Sequence, residues 1–276
     1  MKTQTNDSGA VRFLYGNPVG RGILRLILSV HADRLAVKFL RSRLSHPMIG
    51  RYARKNGIAL SPEELKSFRT YRDFFVRRRP DPKFDPDPAV LISPCDSYLS
   101  TFPVDEDSVF SIKGSRYRVA DLIQDQELAR AYRGGDCLIF RLCASDYHHY
   151  CYIDSGFQEF NHFIPGALHS VQPAACDRYP VYTLNRRMWT VLRTDHFGPV
   201  VQTAVGALIV GGIVNHHQNY SFQKGEEMGQ FELSGSTIVL FFERGRIRLL
   251  PQLAQRLADG TELRVTQGMS LGQAVS

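Results

Sequence analysis

Four short polar motifs contain the residue types that could do chemistry in this sequence. They are "SPCDS" with Asp96, "SDYHHYC" with His148 and His149, "LHSV" with His169, and "SGST" with Ser236. A hydroxyl, a carboxylate and imidazoles are the groups from which a nucleophile and its general base are assembled. The sequence contains none of the patterns GxGxxG, GxxxxGK[ST], HExxH or GxSxG, which argues against nucleotide-binding, zinc-protease and lipase functions.

Each of these residues also has a purely structural interpretation. Asp96 follows a proline and cysteine and could cap a turn, His169 could be a hydrogen-bonded core residue, and Ser236 could be a polar residue at a strand entrance. Neighbouring side chains of a strand face opposite sides, so at most one of His148 and His149 would point into a given site. The local motifs alone therefore do not establish a function.

The amino-terminal part of the chain is strongly basic. Residues 1–79 contain 17 Lys and Arg against five Asp and Glu, a net charge of +12, whereas residues 80–276 have a net charge of −5. Residues 21–44 alternate apolar and basic side chains near helical spacing, which predicts a basic amphipathic helix with a break near residues 29–31. Its basic residues are Arg21, Arg25, Arg34, Lys38, Arg41 and Arg43.

Three interpretations of this helix remain open: a packed helix with a solvated basic face, a helix on a membrane surface, and a nucleic-acid-binding element. Nucleic acid is the least favoured partner, because no helix-turn-helix, zinc-finger or RNA-recognition motif accompanies the charge. The residues do not include an apolar run of the roughly 20 residues needed to cross a bilayer. Five cysteines without zinc-ligand spacing indicate neither a disulfide framework nor a metal site.

The order of the elements predicts an α+β fold. A further helix is expected to begin after Ser61 and to carry "TYRDFFVRRR" toward its end, and the Pro/Asp-rich residues 80–90 then form a connector. Short runs such as "CLIFRL", "MWTVLRT" and "TIVLFF" are rich in β-branched and aromatic residues. We therefore expect basic helices in residues 1–79, followed by an antiparallel β-rich domain in residues 91–276.

Taken together, the motifs resemble one known family. "RTYRDFFVRR", "SPCDS", "FSIKGSRY", "RLCASDYHHYCYIDSG", "IPGALHSVQP", "NRRMWTVLRTDHFGPVVQTAVGALIVGGI" and "KGEEMGQFELSGSTIVLFFE" occur in the order found in the phosphatidylserine decarboxylases. The resemblance extends from about Arg69 to Glu243. Several long motifs in one order make it specific.

The resemblance implies a cofactor made from the chain itself. The bond that corresponds to the family's self-cleavage site is Gly235–Ser236, where the Ser236 hydroxyl would attack the Gly235 carbonyl. Elimination would then leave a pyruvoyl group in place of Ser236, and its ketone would form a Schiff base with the amine of phosphatidylserine. Loss of CO2 and hydrolysis would yield phosphatidylethanolamine.

Helper residues follow from the same resemblance. Asp96 matches the acidic residue of the family's SPxD motif, which orients a histidine, and His148 matches the first histidine of DYHxxH, which is linked to decarboxylation. Cys151 stands at the position of the second histidine, so the relay histidine must come from elsewhere. His169, at a position where the family more often has an aromatic residue, is the first choice, His148 in both roles is the second, and a Cys151 thiolate is the third.

The implied partners are phosphatidylserine and an anionic membrane surface, on the cytoplasmic side of the membrane, with the protein bound peripherally. The two fragments are expected to stay associated, and a homodimer remains open. The alternative is an unprocessed, non-catalytic lipid- or protein-binding homologue on the same scaffold. The resemblance does not imply a metal.

Overall fold

The fold combines helices with antiparallel sheets, which confirms the predicted α+β class. The computed structural model describes residues 8–29, 32–80, 82–112, 115–143, 145–207, 212–233, 236–258 and 261–275. Every pair of strands within the sheets of these residues is antiparallel.

Helices dominate the first 76 residues and recur later as short segments. In the described residues they are α1 (Gly9–Gly16), α2 (Pro18–Ser29), α3 (Ala32–Leu40), α4 (Pro47–Lys55), α5 (Pro62–Ser67), α6 (Tyr71–Phe75), α7 (Val119–Ile123), α8 (Gln126–Arg130), α9 (Pro173–Cys176), α10 (Val181–Leu184) and α11 (Pro251–Leu257). A 3-10 helix, Arg43–Ser45, follows α3. The predicted break near residues 29–31 falls on residues 30 and 31, which lie outside the described residues; α2 is described to Ser29 and α3 from Ala32.

The prediction of one helix from Ser61 through "TYRDFFVRRR" was wrong. Ser61 does cap a helix, since its hydroxyl accepts a hydrogen bond from the Glu64 N–H, but that helix ends at Ser67. Thr70 then caps α6 in the same way, with its hydroxyl accepting from the Asp73 N–H and the Asp73 carboxylate accepting from the Thr70 N–H. A second capping box starts a new helix because it satisfies the amide groups that a continuous helix would have bonded internally.

Strands make up most of the chain after residue 89. They are β1 (Val90–Ile92), β2 (Ser97–Pro103), β3 (Val109–Ile112), β4 (Ser115–Arg118), β5 (Asp136–Leu142), β6 (His149–Cys151), β7 (Gly156–Gln158), β8 (His162–Ile164), β9 (Arg187–Thr194), β10 (Gly198–Val205), β11 (Gly212–Asn215), β12 (Tyr220–Phe222), β13 (Glu227–Glu232), β14 (Ser236–Phe242), β15 (Ile247–Leu249), β16 (Leu263–Val265) and β17 (Ser270–Ala274).

The largest sheet has nine strands and contains β14 near its centre. Its order is β12-β7-β9-β10-β14-β5-β2-β16, with β8 also paired to β9. Two three-stranded sheets have the orders β11-β13-β6 and β1-β17-β15, and β3 pairs with β4. All seven residues of β14 are buried, which suits its apolar, β-branched sequence.

Three adjacent strands of the large sheet continue directly into three adjacent strands of a small one. The neighbours β10, β14 and β5 are joined along the chain to β11, β13 and β6, which are neighbours in the same order. The strand ends that flank the three connections therefore lie side by side where the two sheets adjoin. Ser236 opens the middle strand at this crossing, and His148 directly precedes β6.

Two large apolar clusters lie on opposite faces of the large sheet, and a third belongs to the helices. Ile238 and Leu240 of β14 belong to one large cluster, whereas Val239 and Phe241 belong to the other, as the alternation of a strand requires. The third cluster joins α4 and α6 and includes Leu233, which follows β13. Within the part of the chain that the structure describes, the helices are too short or too polar to cross a bilayer.

Candidate active site

Ser236 lies at the first position of β14, where pairing holds its backbone on the β5 side. It lies opposite Leu142 of β5, and the next residue, Thr237, lies opposite both Arg141 and Val205. The Ser236 side chain is 1% exposed, and its Oγ atom has no hydrogen-bond partner among the described residues. Gly235, the other residue of the expected cleavage site, lies outside the described residues. An unpaired buried hydroxyl is energetically unfavourable and therefore points to a chemical use.

His148 is completely buried, and its two ring nitrogens differ in their partners. Its Nδ1 atom lies 2.8 Å from the backbone carbonyl oxygen of Asp146, which can only accept, so Nδ1 carries the proton. The Nε2 atom then has a free lone pair, and it has no partner among the described residues. Burial lowers the pKa of His148 to about 3, so the ring is neutral near pH 7. A neutral imidazole with a free lone pair is the form that can accept a proton.

Ser236 and His148 lie near the junction of the two sheets, Ser236 at the start of β14 and His148 just before β6. Leu142, opposite Ser236, belongs to the same apolar cluster as Ile238, two residues after Ser236. Tyr150, two residues after His148, belongs to that cluster too. Side chains two apart along a strand share a face, so Ser236 lies on the side of this cluster, whereas His148 directly precedes β6 and its ring packs on Phe75 of the helical cluster. These residues fit a group that is generated from Ser236 itself.

Asp96 is held by an arginine rather than by a histidine. Its carboxylate accepts hydrogen bonds from Arg79 at 2.5 and 2.9 Å, and from the backbone N–H of Gln267 at 2.8 Å. Burial by itself would raise the pKa of Asp96, but these hydrogen bonds hold it below its ordinary value. Its negative charge raises the proton affinity of His148 through space. Among the described residues Asp96 is thus held by Arg79 and the Gln267 backbone, and its charge is a minor influence on the pKa of His148, which burial dominates.

His169 lies in a different environment, where its ring contacts Tyr15 of the amino-terminal helix α1. Its ring stacks on Tyr179 with centroids 4.8 Å apart, and its Nδ1 atom lies 3.4 Å from the hydroxyl of Tyr15. Its backbone N–H donates to the Asn185 side chain, which in turn donates to the carbonyl oxygens of His169 and Gly206. Burial lowers the pKa of His169. The backbone of His169 is thereby tied to the end of β10, while its ring contacts the two tyrosines.

Cys151, at the position of the family's second histidine, is buried in β6. Burial raises the pKa of the Cys151 thiol to about 12, so this thiol stays protonated near pH 7. A thiol in that state is a poor base. A small cavity lies beside it, lined by residues that include Arg79, Tyr147, His149 and Glu227.

His149 faces away from His148, as the alternation predicts for neighbouring residues. Its Nδ1 atom lies 3.2 Å from Glu227, and its Nε2 atom lies 3.1 Å from the carbonyl oxygen of Val76. The Nε2 atom of His216 reaches the same Glu227 oxygen at 2.7 Å. Glu227 thus joins two histidines on the small sheet.

Three residues to which the sequence motifs assigned no role surround the site. Phe75 stacks on His148 with centroids 4.3 Å apart, Arg79 binds Asp96, and Arg72 binds Glu232 at the end of β13. All three lie within or just after "RTYRDFFVRR", which contributed to the resemblance without receiving a role. The presence of this motif within the resemblance was the signal that could have identified them.

Comparisons with known proteins give a consistent result. A family model described as phosphatidylserine decarboxylase matches residues 71–273. The chain is 38% identical over 269 residues to phosphatidylserine decarboxylase proenzyme 2 of Clostridium acetobutylicum, covering 96% of this chain and 92% of the relative.

Two further relatives carry the same description. A phosphatidylserine decarboxylase proenzyme of Desulfitobacterium hafniense is 34% identical over 275 residues, with 95% of this chain and 91% of the relative covered. One of Clostridium beijerinckii is 34% identical over 279 residues, with 96% and 92% covered. The similarity therefore includes the basic amino-terminal helices as well as the sheets.

Proposed function

This chain belongs to the phosphatidylserine decarboxylase family of carboxy-lyases, and we propose that it is a self-processing, pyruvoyl-dependent member that forms phosphatidylethanolamine at a membrane surface. The observation that carries this proposal is the pair of buried, unpartnered atoms Ser236 Oγ and His148 Nε2. Its relatives are described as proenzymes, which are precursors that require processing.

The proposed cleavage begins with transfer of the Ser236 hydroxyl proton to Nε2 of His148. The Oγ atom forms a bond to the carbonyl carbon of Gly235 as the amide bond to the Ser236 nitrogen breaks, which gives an ester. Removal of the Ser236 α-proton then breaks the Cβ–Oγ bond and releases a chain that ends in the Gly235 carboxylate. Water replaces the Ser236 nitrogen, which leaves as ammonia, and a ketone remains.

A ketone at this position would supply an electron sink for loss of CO2 from an amino-acid headgroup. Around it, His148 holds or delivers a proton through Nε2, because its Nδ1–H is committed to the Asp146 carbonyl. The buried setting excludes water from this proton transfer. Asp96 supports the neutral-to-charged transition of His148 through its electrostatic field.

Among the three candidates for the base in self-cleavage, the contacts favour His148. His169 has its ring against Tyr15 and Tyr179, and the Cys151 thiol is kept protonated by its raised pKa. His148 combines a neutral ring with a buried lone pair that has no partner among the described residues. We therefore propose His148 as the base for self-cleavage, with Asp96 as its electrostatic support.

The amino-terminal helices support the membrane-surface part of the proposal. Val19, Ile23 and Leu26 of α2 follow helical spacing on one face and are 67%, 43% and 61% exposed. Leu35 and Leu44 are 73% and 78% exposed. Exposed apolar side chains among basic residues are typical of helices that lie in the headgroup region of an anionic bilayer. We propose that residues 1–79 hold the protein on the cytoplasmic surface of the membrane.

Intact-mass spectrometry of the purified protein tests the central step. The wild-type chain should yield one fragment that ends at Gly235 and a second of residues 236–276, the second blocked to Edman degradation. Ser236→Ala should remain a single chain without decarboxylase activity. An active wild-type protein with the mass of the unbroken 276-residue chain would exclude the pyruvoyl mechanism and favour a different chemistry.

A further inference from the structure

A buried carboxylate joins the amino-terminal helices to the strand that leads into the cleavage site. Glu232 is the last residue of β13, and its side chain is 8% exposed. One carboxylate oxygen accepts a hydrogen bond from Arg41 at 2.6 Å, and the other accepts from Nε of Arg72 at 3.0 Å and also contacts Nη2 of Arg72. Arg41 directly follows α3 and Arg72 lies in α6. Two separate helical segments therefore bind the end of β13 through ion pairs with Glu232.

The neighbouring strand β11 leaves room for the Glu232 carboxylate and its two arginine partners. Gly212 of β11 lies opposite Glu232, and a Cβ atom on Gly212 would lie 2.9 Å from the Glu232 Cβ and 3.2 Å from its Oε2. A larger residue at position 212 would therefore displace the carboxylate. Burial by itself would raise the pKa of Glu232, but the bonds from Arg72 and Arg41 hold it below its ordinary value. A carboxylate this buried depends on both arginines for its charge.

Leu233, the next residue, is held by packing in an unusual backbone conformation. Its φ angle is 68°, in the left-handed region that side chains other than glycine rarely adopt. It is 5% exposed and belongs to the apolar cluster of α4 and α6, together with Ile49, Phe74 and Phe75. Burial against the helices compensates for the strained backbone. The helices thus determine the direction in which the chain leaves β13.

We infer that Arg41, Arg72 and Leu233 position the upstream arm, the chain directly before the Gly235–Ser236 bond, for self-cleavage. This inference rests on the proposed function. Only two residues, 234 and 235, separate Leu233 from Ser236, and the pairing of β14 holds Ser236 from the other side. The hydroxyl of Ser236 must reach the preceding carbonyl carbon, so fixing both ends of this short segment raises the population of reactive geometries. The three residues act through the backbone and are positioning residues.

The helical cluster also contacts the proposed base. Phe75 belongs to the same cluster as Leu233 and stacks on His148. One small group of helices therefore determines the position of both the proton acceptor and the upstream arm. The basic amino-terminal helices consequently contribute to processing in addition to any contact with lipid.

The test compares cleavage rates of arginine and glutamate variants in freshly synthesised precursor. Arg72→Ala and Glu232→Gln should slow the appearance of the two fragments by on the order of tenfold or more. Arg41→Ala should slow it less, because Arg41 is half exposed and makes one of the bonds. Arg51→Ala, an exposed arginine of α4 without an ion pair among the described residues, is the charge-matched control and should cleave at the wild-type rate.

A second readout separates positioning from general destabilisation. Once cleaved, the variants should decarboxylate phosphatidylserine at a rate per pyruvoyl group within about twofold of wild type. The reason is that the chain ending at Gly235 is then no longer bonded to residue 236. Thermal unfolding in a Ser236→Ala background should show that each variant folds. If Arg72→Ala and Glu232→Gln do not fold, the cleavage rate of Arg41→Ala tests the inference in their place.

The outcomes distinguish this inference from the function on which it rests. Cleavage of Arg72→Ala and Glu232→Gln at the wild-type rate would overturn the positioning role and leave self-processing intact. A parallel loss of cleavage and of activity per pyruvoyl group would overturn it as well, because it would indicate general damage to the fold. A wild-type chain that never cleaves would overturn the proposed function and this inference together.

Discussion

The aromatic ring of Phe75 covers the imidazole of His148, with centroids 4.3 Å apart and planes inclined by 39°. Phe75 ends α6, so a helix from the basic amino-terminal part shields a histidine that precedes β6. The resulting loss of hydration lowers the pKa of His148 to about 3. The contact therefore contributes to the burial that keeps the proposed base neutral near pH 7.

This lowered pKa predicts a dependence of stability on pH. The unfolded chain binds a proton on His148 near pH 6.5 and the folded chain only near pH 3, so the free energy of unfolding should decrease as the pH falls between these values. In a Ser236→Ala background, replacing His148 with Phe removes this proton and should flatten the decrease by about 3 kcal/mol between pH 6.5 and pH 4. Urea unfolding at several pH values measures it, and parallel curves for the two proteins would contradict the burial of a neutral ring.

The choice between the two histidines can be made by comparing matched variants. His148→Ala should slow self-cleavage by about 10²- to 10⁴-fold, the usual effect of losing a general base. His169→Phe should keep the stacking on Tyr179 and cleave within about threefold of wild type. Denaturing electrophoresis over time reports both rates. Arrest of His169→Phe with normal cleavage of His148→Ala would instead assign the base to His169.

The ion pair between Asp96 and Arg79 should contribute to stability. Asp96→Asn leaves a half-buried guanidinium without its charged partner, and we expect a loss of about 1–3 kcal/mol. The pKa of Asp96 is lowered in the folded state, so this contribution is present above about pH 4 and disappears as the pH falls further. A double-mutant cycle with Arg79→Ala measures the coupling free energy between the two residues. Simple additivity of the two losses would show that the ion pair contributes nothing to stability.

The two fragments should remain associated after cleavage. Residues 236–276 contain β14, which pairs on both sides with β10 and β5, and also β16 and β17, which pair with β2 and β1. Separation would expose the fully buried β14, so high salt should not dissociate the fragments. Gel filtration in 1 M salt, followed by denaturing mass analysis, should recover both from one peak. Recovery of the large fragment alone would contradict this assembly.

Membrane binding should depend on basic residues that have no ion pair with another described residue. Arg41 is bound to Glu232, so the informative set is Arg25, Lys38 and Arg43, which are exposed. Changing these three to Gln should weaken binding to vesicles rich in phosphatidylserine on the order of 100-fold, at about 1 kcal/mol for each charge.

A charge-matched control uses exposed arginines outside the amino-terminal helices. Arg118, Arg130 and Arg133, changed to Gln together, remove the same charge and should leave vesicle binding nearly unchanged. Co-sedimentation with the vesicles measures both triple variants. Equal losses in the two proteins would mean that net charge, rather than the helices, determines binding.

The sequence by itself determined the class of the fold and pointed to Ser236 as the proposed nucleophile. The β-branched and aromatic run of β14 predicts a strand, and the capping serine at position 61 predicts a helix start, because both signals act over a few neighbouring residues. The order of the motifs pointed to the family and to Ser236. The end of the helix that starts after Ser61 was predicted wrongly, because a second local signal at Thr70 had been overlooked.

Only the tertiary structure decided which residues meet. Arg79 and Asp96 are 17 positions apart and Arg72 and Glu232 are 160 apart, and Phe75 of α6 reaches His148 although β1 to β5 lie between them in the chain. Such contacts arise from the packing of helices on the crossing between two sheets, and no local pattern in the chain encodes that packing. The charge state of His148 follows from the same packing, since burial depends on what covers a side chain and not on its neighbours in sequence.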